Sequence, residues 1–399
     1  MHQAVADAHR REWAAVLAAT VRVTRDLDVA EESVQDAYVS ALSAWERDGV
    51  PDRPGAWLTT AARNKALNAL ARRQTLRAKL PLLVLPEELT VPEAIPDDRL
   101  RLVFTCCHPA LSAEARIGLT LRLVCGVSTA DVASAFLVPE ATMAARITRA
   151  KKKIAAARIP YRVPESDELP ARLDSVLTVV HLLATTGHTA PSGDALVRID
   201  LAERALDLAR LLHALLPEEA EVAGLVALLL VHRAREGTRT DEAGRLVPLA
   251  DQDRSAWDRN LIAEADQLVV RALLAGPPGR FTLQAAIAAL HAQAPSYAET
   301  DWPQIRTLYD ALLRVWRTPV VALNRAVAVA MVDGPAAGLA AVEVLEASGE
   351  LAGYHYLPAA KADFLRRLGR FAEAADAYAA ALALTDNAAE QDFLRDRLG

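Results

Sequence analysis

Aromatic side chains are scarce in this 399-residue chain, 5% of residues, although 52% are hydrophobic. A core with so few rings leans on alanine and leucine, and with few β-branched runs that composition favours helices. Cysteine is scarcer still: three in all, two of them the adjacent Cys106 and Cys107 beside His108. Adjacent thiols lack zinc-ligand spacing and three cannot all pair, so buried reduced thiols are expected. Long apolar runs are missing too. The longest, Val222 to Val231, falls well short of the ~20 residues that span a bilayer. The first residues, Met1 to Glu12, are polar and charged, unlike a secretion signal. A soluble, cytoplasmic protein is expected. There is no glycine-rich phosphate loop, zinc-spaced cluster or nucleophile motif, and the nine histidines are scattered. That pattern speaks against an enzyme and calls for no cofactor and no metal.

What is present is unevenly charged. The net charge is −6, but residues 1–163 hold 23 Lys and Arg against 18 Asp and Glu, a balance of +5, and the remainder stands at −11. A basic front suits a polyanion and an acidic back does not. The length exceeds one core and suits two or three domains.

Apolar residues Ala30, Val34, Ala37, Tyr38, Ala41, Leu42 and Trp45 recur at helical spacing, with Glu31, Glu32, Gln35 and Asp36 on the opposite face. Gly49 to Gly55 breaks that helix, and another runs from Ala56 to about Arg73. Prolines at 81, 86, 92 and 96 then favour an extended linker, Gln74 to Pro109. From about Leu169 onward some ten alanine- and leucine-rich helices follow. Near the end, helix–Gly–helix units around Gly334 and Gly369 lie 35 residues apart, close to the ~34-residue tetratricopeptide period. The result is a degenerate array of helical hairpins.

The most informative stretch is Leu123 to Ile154. Gly126 ends one helix, Ser128 with Asp131 forms a capping box for a short second one, and Leu137-Val138-Pro139 turns into a third with Pro139 at its first position. In that third helix Met143, Ile147 and Ile154 point to a core, and Thr142, Arg146, Arg149 and Lys153 point away from it. A cationic stripe with a hydroxyl at its start suits a recognition helix in a major groove, with Lys151 and Lys152 near the groove edge. An ordinary solvated amphipathic helix gives the same stripe. In the helix after Gly55, Thr60, Asn64, Asn68 and Arg72 form a second polar line at four-residue spacing, with Arg63, Lys65 and Arg73 beside it. Asparagines can reach base edges and cations a strand backbone. Trp57 fits two roles, stacking on an unpaired base or packing in the core, and the stripe fits a solvated face as well.

Two candidate nucleic-acid helices joined by a linker resemble extracytoplasmic-function sigma factors. Asp28-Val-Ala-Glu-Glu-Ser-Val-Gln-Asp-Ala-Tyr38 and Ala44-Trp45 resemble regions 2.1–2.2, Ala56 to Arg73 resembles regions 2.3–2.4, and the helix-turn-helix resembles region 4.2. Many relatives carry an acid where this chain has Asn68. Farther on, Asp194 to Arg198, Asp251 to Asp258 and Leu323 to Ala328 are similar to the group with a tetratricopeptide-like extension, as is the linker phrase Ile95 to Leu111. The resemblance implies an all-α fold: region 2 over 1–75, a linker over 76–110, region 4 over 111–162 and a helical domain over 168–399. It implies that Asp28, Glu31, Glu32, Gln35 and Asp36 dock the β′ clamp coiled coil of core RNA polymerase, with the β flap as a further contact. Trp57, Thr60, Arg63, Asn64 and Arg72 would hold the minus-ten element of promoter DNA. Thr142, Arg146 and Arg149, with Lys151, Lys152 and Lys153 on the backbone, would hold the minus-thirty-five element. The C-terminal domain would regulate activity or bind a partner. Rival readings are a helix-turn-helix repressor or activator with a helical sensor domain, which would bind DNA without polymerase, and a hairpin scaffold that binds peptides.

Overall fold

The carboxylate of Asp26 accepts the backbone N–H groups of Asp28 and Val29. That cap starts α2, Leu27–Asp48, after α1, His2–Thr24. Gly49, at φ 84°, ends α2, and the turn reaches α3, Pro54–Arg77. These three helices pack on one another around Val16, Leu17, Val34, Ala37, Ala41, Trp45, Leu58, Ala62 and Ala66, all buried. The computed structural model describes residues 2–77, 98–136, 138–165, 167–188, 192–193 and 199–398. The chain divides into two units, residues 1–182 and 183–399.

The first unit continues with α4, Asp98–Cys106, and α5, Ala113–Leu119. A π-helical turn at Thr120–Val124 follows, then α6, Thr129–Ala135, α7, Glu140–Ala156, and the first part of α8, Leu169–His188. Residues 98–106, expected as linker, are therefore helical. The four prolines all precede this helix, Asp98 supplies an acid in its first turn, and Leu100, Leu102, Val103 and Phe104 are buried. The start of the expected linker, up to Arg77, belongs to α3, and 78–97 lies outside the described residues. Cys106 and Cys107 are buried and unbridged.

In the second unit, α9, Ile199–Leu215, precedes α10, Ala220–Arg235, which contains the apolar run noted above. Every residue from Val222 to Val231 is buried, because α10 packs against α9, α11, Arg259–Ala275, and α12, Arg280–Gln293. A helix apolar all round is a core helix here. Glu221 reaches across to cap α12, its carboxylate accepting from Phe281 N, 2.8 Å, and Thr282 N, 3.1 Å. The charged segment before α11 is a structured turn. Asp258 caps α11, and Trp257 is buried with the guanidinium groups of Arg235 and Arg254 at 5.1 and 4.8 Å from its ring.

The end of the chain consists of α13, Trp302–Val315, α14, Pro319–Val332, α15, Pro335–Ser348, α16, Tyr356–Arg367, α17, Phe371–Leu382, and α18, Ala388–Leu398. Helices α14 and α15 pack as one pair and α16 and α17 as the next. The two periodic glycines sit at equivalent turns, Gly334 at φ 93° and Gly369 at φ 77°, a backbone region open to glycine and strained for other residues. Among the described residues the fold is all-α apart from a two-residue parallel pairing of β1, Ser192–Gly193, with β2, Asp386–Asn387, and an isolated antiparallel bridge between Thr240 and Leu246. The Asp194–Arg198 motif lies outside the described residues.

Candidate nucleic-acid interface

The helix-turn-helix is built by local rules. Gly126 turns the chain at φ 66° after the π-helical segment. A Cβ at that position would stand 3.0 Å from the Trp13 ring, so both the backbone and the space require glycine. The Ser128 hydroxyl accepts from Asp131 N and donates to the Asp131 carboxylate at 2.6 Å, which starts α6. Pro139 stands one residue earlier than expected, as the extended N-cap of α7 rather than its first helical residue.

Helix α7 buries Met143, Ile147, Ala150 and Ile154. Gly118 lets α5 close on it, with Met143 Sδ at 3.4 Å from a hypothetical Cβ. Thr142, Arg149, Lys152 and Lys153 are exposed and Arg146 is half-buried. Arg146, Arg149 and Lys153 line one wall of a groove of about 370 Å³, and Leu111, Ser112, Glu114 and Ala115 line the other. The Glu114 carboxyl is held below its usual range by its own backbone N–H and by Ser112, with Arg146 and Arg116 adding to the effect. The groove thus keeps one acid and three cations at its surface, a charge balance that favours a phosphate backbone.

Lys151 points elsewhere. Its ammonium lies 2.5 Å from Glu31 and 2.9 Å from Asp28, and its side chain is only 10% exposed. Burial alone would lower its pKa, and the two carboxylates outweigh that and raise it. Arg122 Nη2 meets the other Glu31 oxygen at 2.6 Å. Glu31, expected on the outer face of α2, is therefore buried between two cations from the helix-turn-helix side. Asp28, Glu32, Gln35 and Asp36 remain exposed, and Gln35 donates to Glu31 at 3.3 Å. Asp28 and Glu31 thus meet Lys151 directly, a juxtaposition of residues some 120 positions apart that no local pattern signals.

On α3 the polar line comes out as spaced. Thr60, Arg63, Asn64, Asn68 and Arg72 are exposed, and Leu58, Ala62 and Ala66 are buried on the opposite side. Trp57 is half-buried, its ring 5.7 Å from that of Trp45 and edge-on at 69°. It is anchored by the core on one side and open on the other, so the two roles left open for it are compatible. Among the described residues, no group of three His, Cys, Asp or Glu side chains is placed to hold a metal, and no helix is long and apolar enough to cross a membrane.

Three family descriptions match the chain: Sigma-70 region 2 over residues 3–75, Sigma-70 region 4 over 101–154, and a family of unknown function, DUF6596, over 172–273. An uncharacterized protein of Rhizobium meliloti (strain 1021) is 43% identical over 393 residues, covering 96% of this chain and 92% of that protein. No solved structure matches. The region 4 match begins inside α4, in keeping with the helical start of that segment at Asp98.

Proposed function

The chain belongs to the sigma-70 factors, as a member of extracytoplasmic-function type with a C-terminal extension, and from that premise we propose how it engages polymerase and promoter. A sigma factor acts in promoter recognition. The finer assignment rests chiefly on one observation: the exposed faces of α3 and α7 each carry a line of cations and hydrogen-bonding groups at helical spacing. In this reading Thr142, Arg146 and Arg149 contact bases of the minus-thirty-five element, and Lys152 and Lys153 contact the flanking phosphates. Trp57, Thr60, Arg63, Asn64 and Arg72 hold the minus-ten element as it melts, with the half-open Trp57 ring available to stack on a freed base. Asp28, Glu32, Gln35 and Asp36, with Glu31 between them, dock the β′ clamp of core RNA polymerase, and the β flap receives region 4.

Docking on one large partner makes both DNA contacts intramolecular, so modest individual affinities combine. That accounts for a front half of only mild positive charge. The C-terminal helical array offers a regulatory or partner-binding surface, as stacked hairpins do. The test is reconstitution with core RNA polymerase and selection of transcribed promoters, with the full chain and with the chain ending before residue 170. Sequence-selective transcripts dependent on the added chain are the expected result. Specific DNA binding without polymerase, and no transcription with it, would favour the repressor reading.

A further inference from the structure

We propose that Glu31 is an intramolecular latch: in the free chain, region 4 covers part of the polymerase-docking face of region 2, and core RNA polymerase must displace it to bind. The inference rests on the sigma-factor reading and goes beyond it.

Glu31 is an exception to solvation on its helix. Five polar residues of α2, Asp28, Glu31, Glu32, Gln35 and Asp36, fall on one stripe, and four of them are exposed. Glu31 alone is buried, at 7% exposure. Glutamate is rarely buried without partners, because desolvating the charge is costly. Gln35 of the same helix donates to it at 3.3 Å, and both of its charged partners come from the other side of the seam. Arg122 of the π-helical turn takes one oxygen at 2.6 Å, and Lys151 of α7 takes the other at 2.5 Å. Lys151 also reaches Asp28. Two of the five docking candidates are thereby occupied, together with one of the three lysines at the end of the recognition helix. One opening motion would free acids for polymerase and a cation for DNA.

Elsewhere along the seam the Trp13 indole donates to Leu123 O at 3.0 Å, the Tyr161 hydroxyl donates to Ala18 O at 3.0 Å, and Arg22 pairs with Asp98 at 3.4 Å. An open pocket of about 400 Å³, lined by Val21, Asp28, Lys151, Arg158 and Tyr161 among others, gives water access to the edge of the ion pair. Opening is costly unless each charge finds a new partner, and an electrostatically complementary polymerase surface would provide one.

The experiment uses the full chain and a water-soluble carbodiimide, which joins a carboxylate and an amine already in contact through an amide bond. In the free protein, mass spectrometry should find Lys151 linked to Glu31 or Asp28. Saturating core RNA polymerase should reduce that link at least fivefold, and the pre-linked fraction should fail to enter holoenzyme. The paired variant Arg122→Gln with Lys151→Gln, shown folded by circular dichroism, should bind core more tightly. If the closed form holds about 90% of the free chain, the gain is about tenfold. No link in the free chain, an undiminished link in holoenzyme, or a folded variant with unchanged or weaker core affinity would each overturn the latch. Failure of the wild-type chain to bind core at all would instead remove the sigma-factor reading beneath it.

Discussion

The indole N–H of Trp13 donates to the carbonyl of Leu123 across 110 residues of sequence, at 3.0 Å. It ties α1 to the turn that opens the helix-turn-helix, and its ring forms the wall against which Gly126 is pressed. A small residue is needed there for two reasons at once. Gly126→Ala must place a methyl at φ 66°, at a cost of about 1–2 kcal/mol for the left-handed backbone alone, and must also shift the Trp13 ring. The expected result is a loss of at least that size in chemical denaturation of the first unit. Trp13→Phe keeps most of the packing and loses only the hydrogen bond, about 1 kcal/mol. Equal stability of Gly126→Ala and wild type would show that the turn relaxes freely.

The second unit is held by a different long-range cap. Glu221 accepts from two backbone N–H groups at the start of α12 and from the Thr282 hydroxyl. Glu221→Ala leaves those donors unpaired at a partly buried helix start, and caps of this kind contribute about 1–2 kcal/mol. Glu221→Gln keeps an acceptor and should recover part of the loss. Thermal melts of the three proteins at one pH measure the ranking, and a stability for Glu221→Ala equal to wild type would mean that solvent replaces the cap.

Stability should fall in mild acid through His291. Burial first, and then the positive fields of Arg235 and Arg254, push its pKa down to about 4. The unfolded chain has the ordinary value near 6.5 and so binds the proton first as pH drops. The stability tied to a neutral His291 is therefore complete above about pH 6.5 and is lost progressively toward pH 4. His213 and His108 shift in the same direction, each chiefly by burial. A folded His291→Gln variant should have a thermal midpoint that declines less between pH 7 and pH 5 than the wild type does. Parallel curves would assign the acid sensitivity to other groups.

Cys106 and Cys107 should resist thiol reagents. Burial pushes the Cys107 thiol up to about 11 and the Cys106 thiol well above its usual range. The thiolate is the reactive form, so both should stay unmodified by iodoacetamide at pH 8 in the native protein and react in urea. Peptide mapping distinguishes them from Cys125, which is partly exposed. Rapid native modification of the adjacent pair would reopen a redox role.

Much of the candidate interface was legible because it is local. The Ser128–Asp131 capping box, the glycine at 126 and the four-residue spacing of Thr60, Asn64, Asn68 and Arg72 are all set within a few turns of helix. The burial of Met143, Ile147 and Ile154 against an exposed Thr142 and Arg149 follows from the same periodicity. What was missed is non-local or hidden by composition. Glu31 carries the same spacing signature as its exposed neighbours, and only the approach of Arg122 and Lys151 from far along the chain buries it. Helix α4 was masked by the prolines before it, although Leu100, Leu102, Val103 and Phe104 already marked a buried segment.

The recognition helix supports the most discriminating prediction, because its cations differ in what they can contact. Arg146 is half-buried at the groove wall, which Leu111, Glu114 and Ala150 also line, and in the proposed reading its guanidinium contacts a base edge. Lys153 is exposed nearer the C-terminal end of α7, on the same groove, and in the proposed reading it contacts a phosphate. Arg146→Ala should lower transcription from the preferred promoter by about 1–3 kcal/mol and relax preference at one base pair. Core polymerase binding should stay at wild-type level. Lys153→Ala should weaken binding of holoenzyme to all promoters alike and reduce the salt slope of that binding by about one ion. Competition between matched and single-base-mismatched promoters at two salt concentrations separates the two. A uniform loss for Arg146→Ala, with base preference intact, would move Arg146 to the phosphate-contacting set and shift base reading toward Thr142 and Arg149.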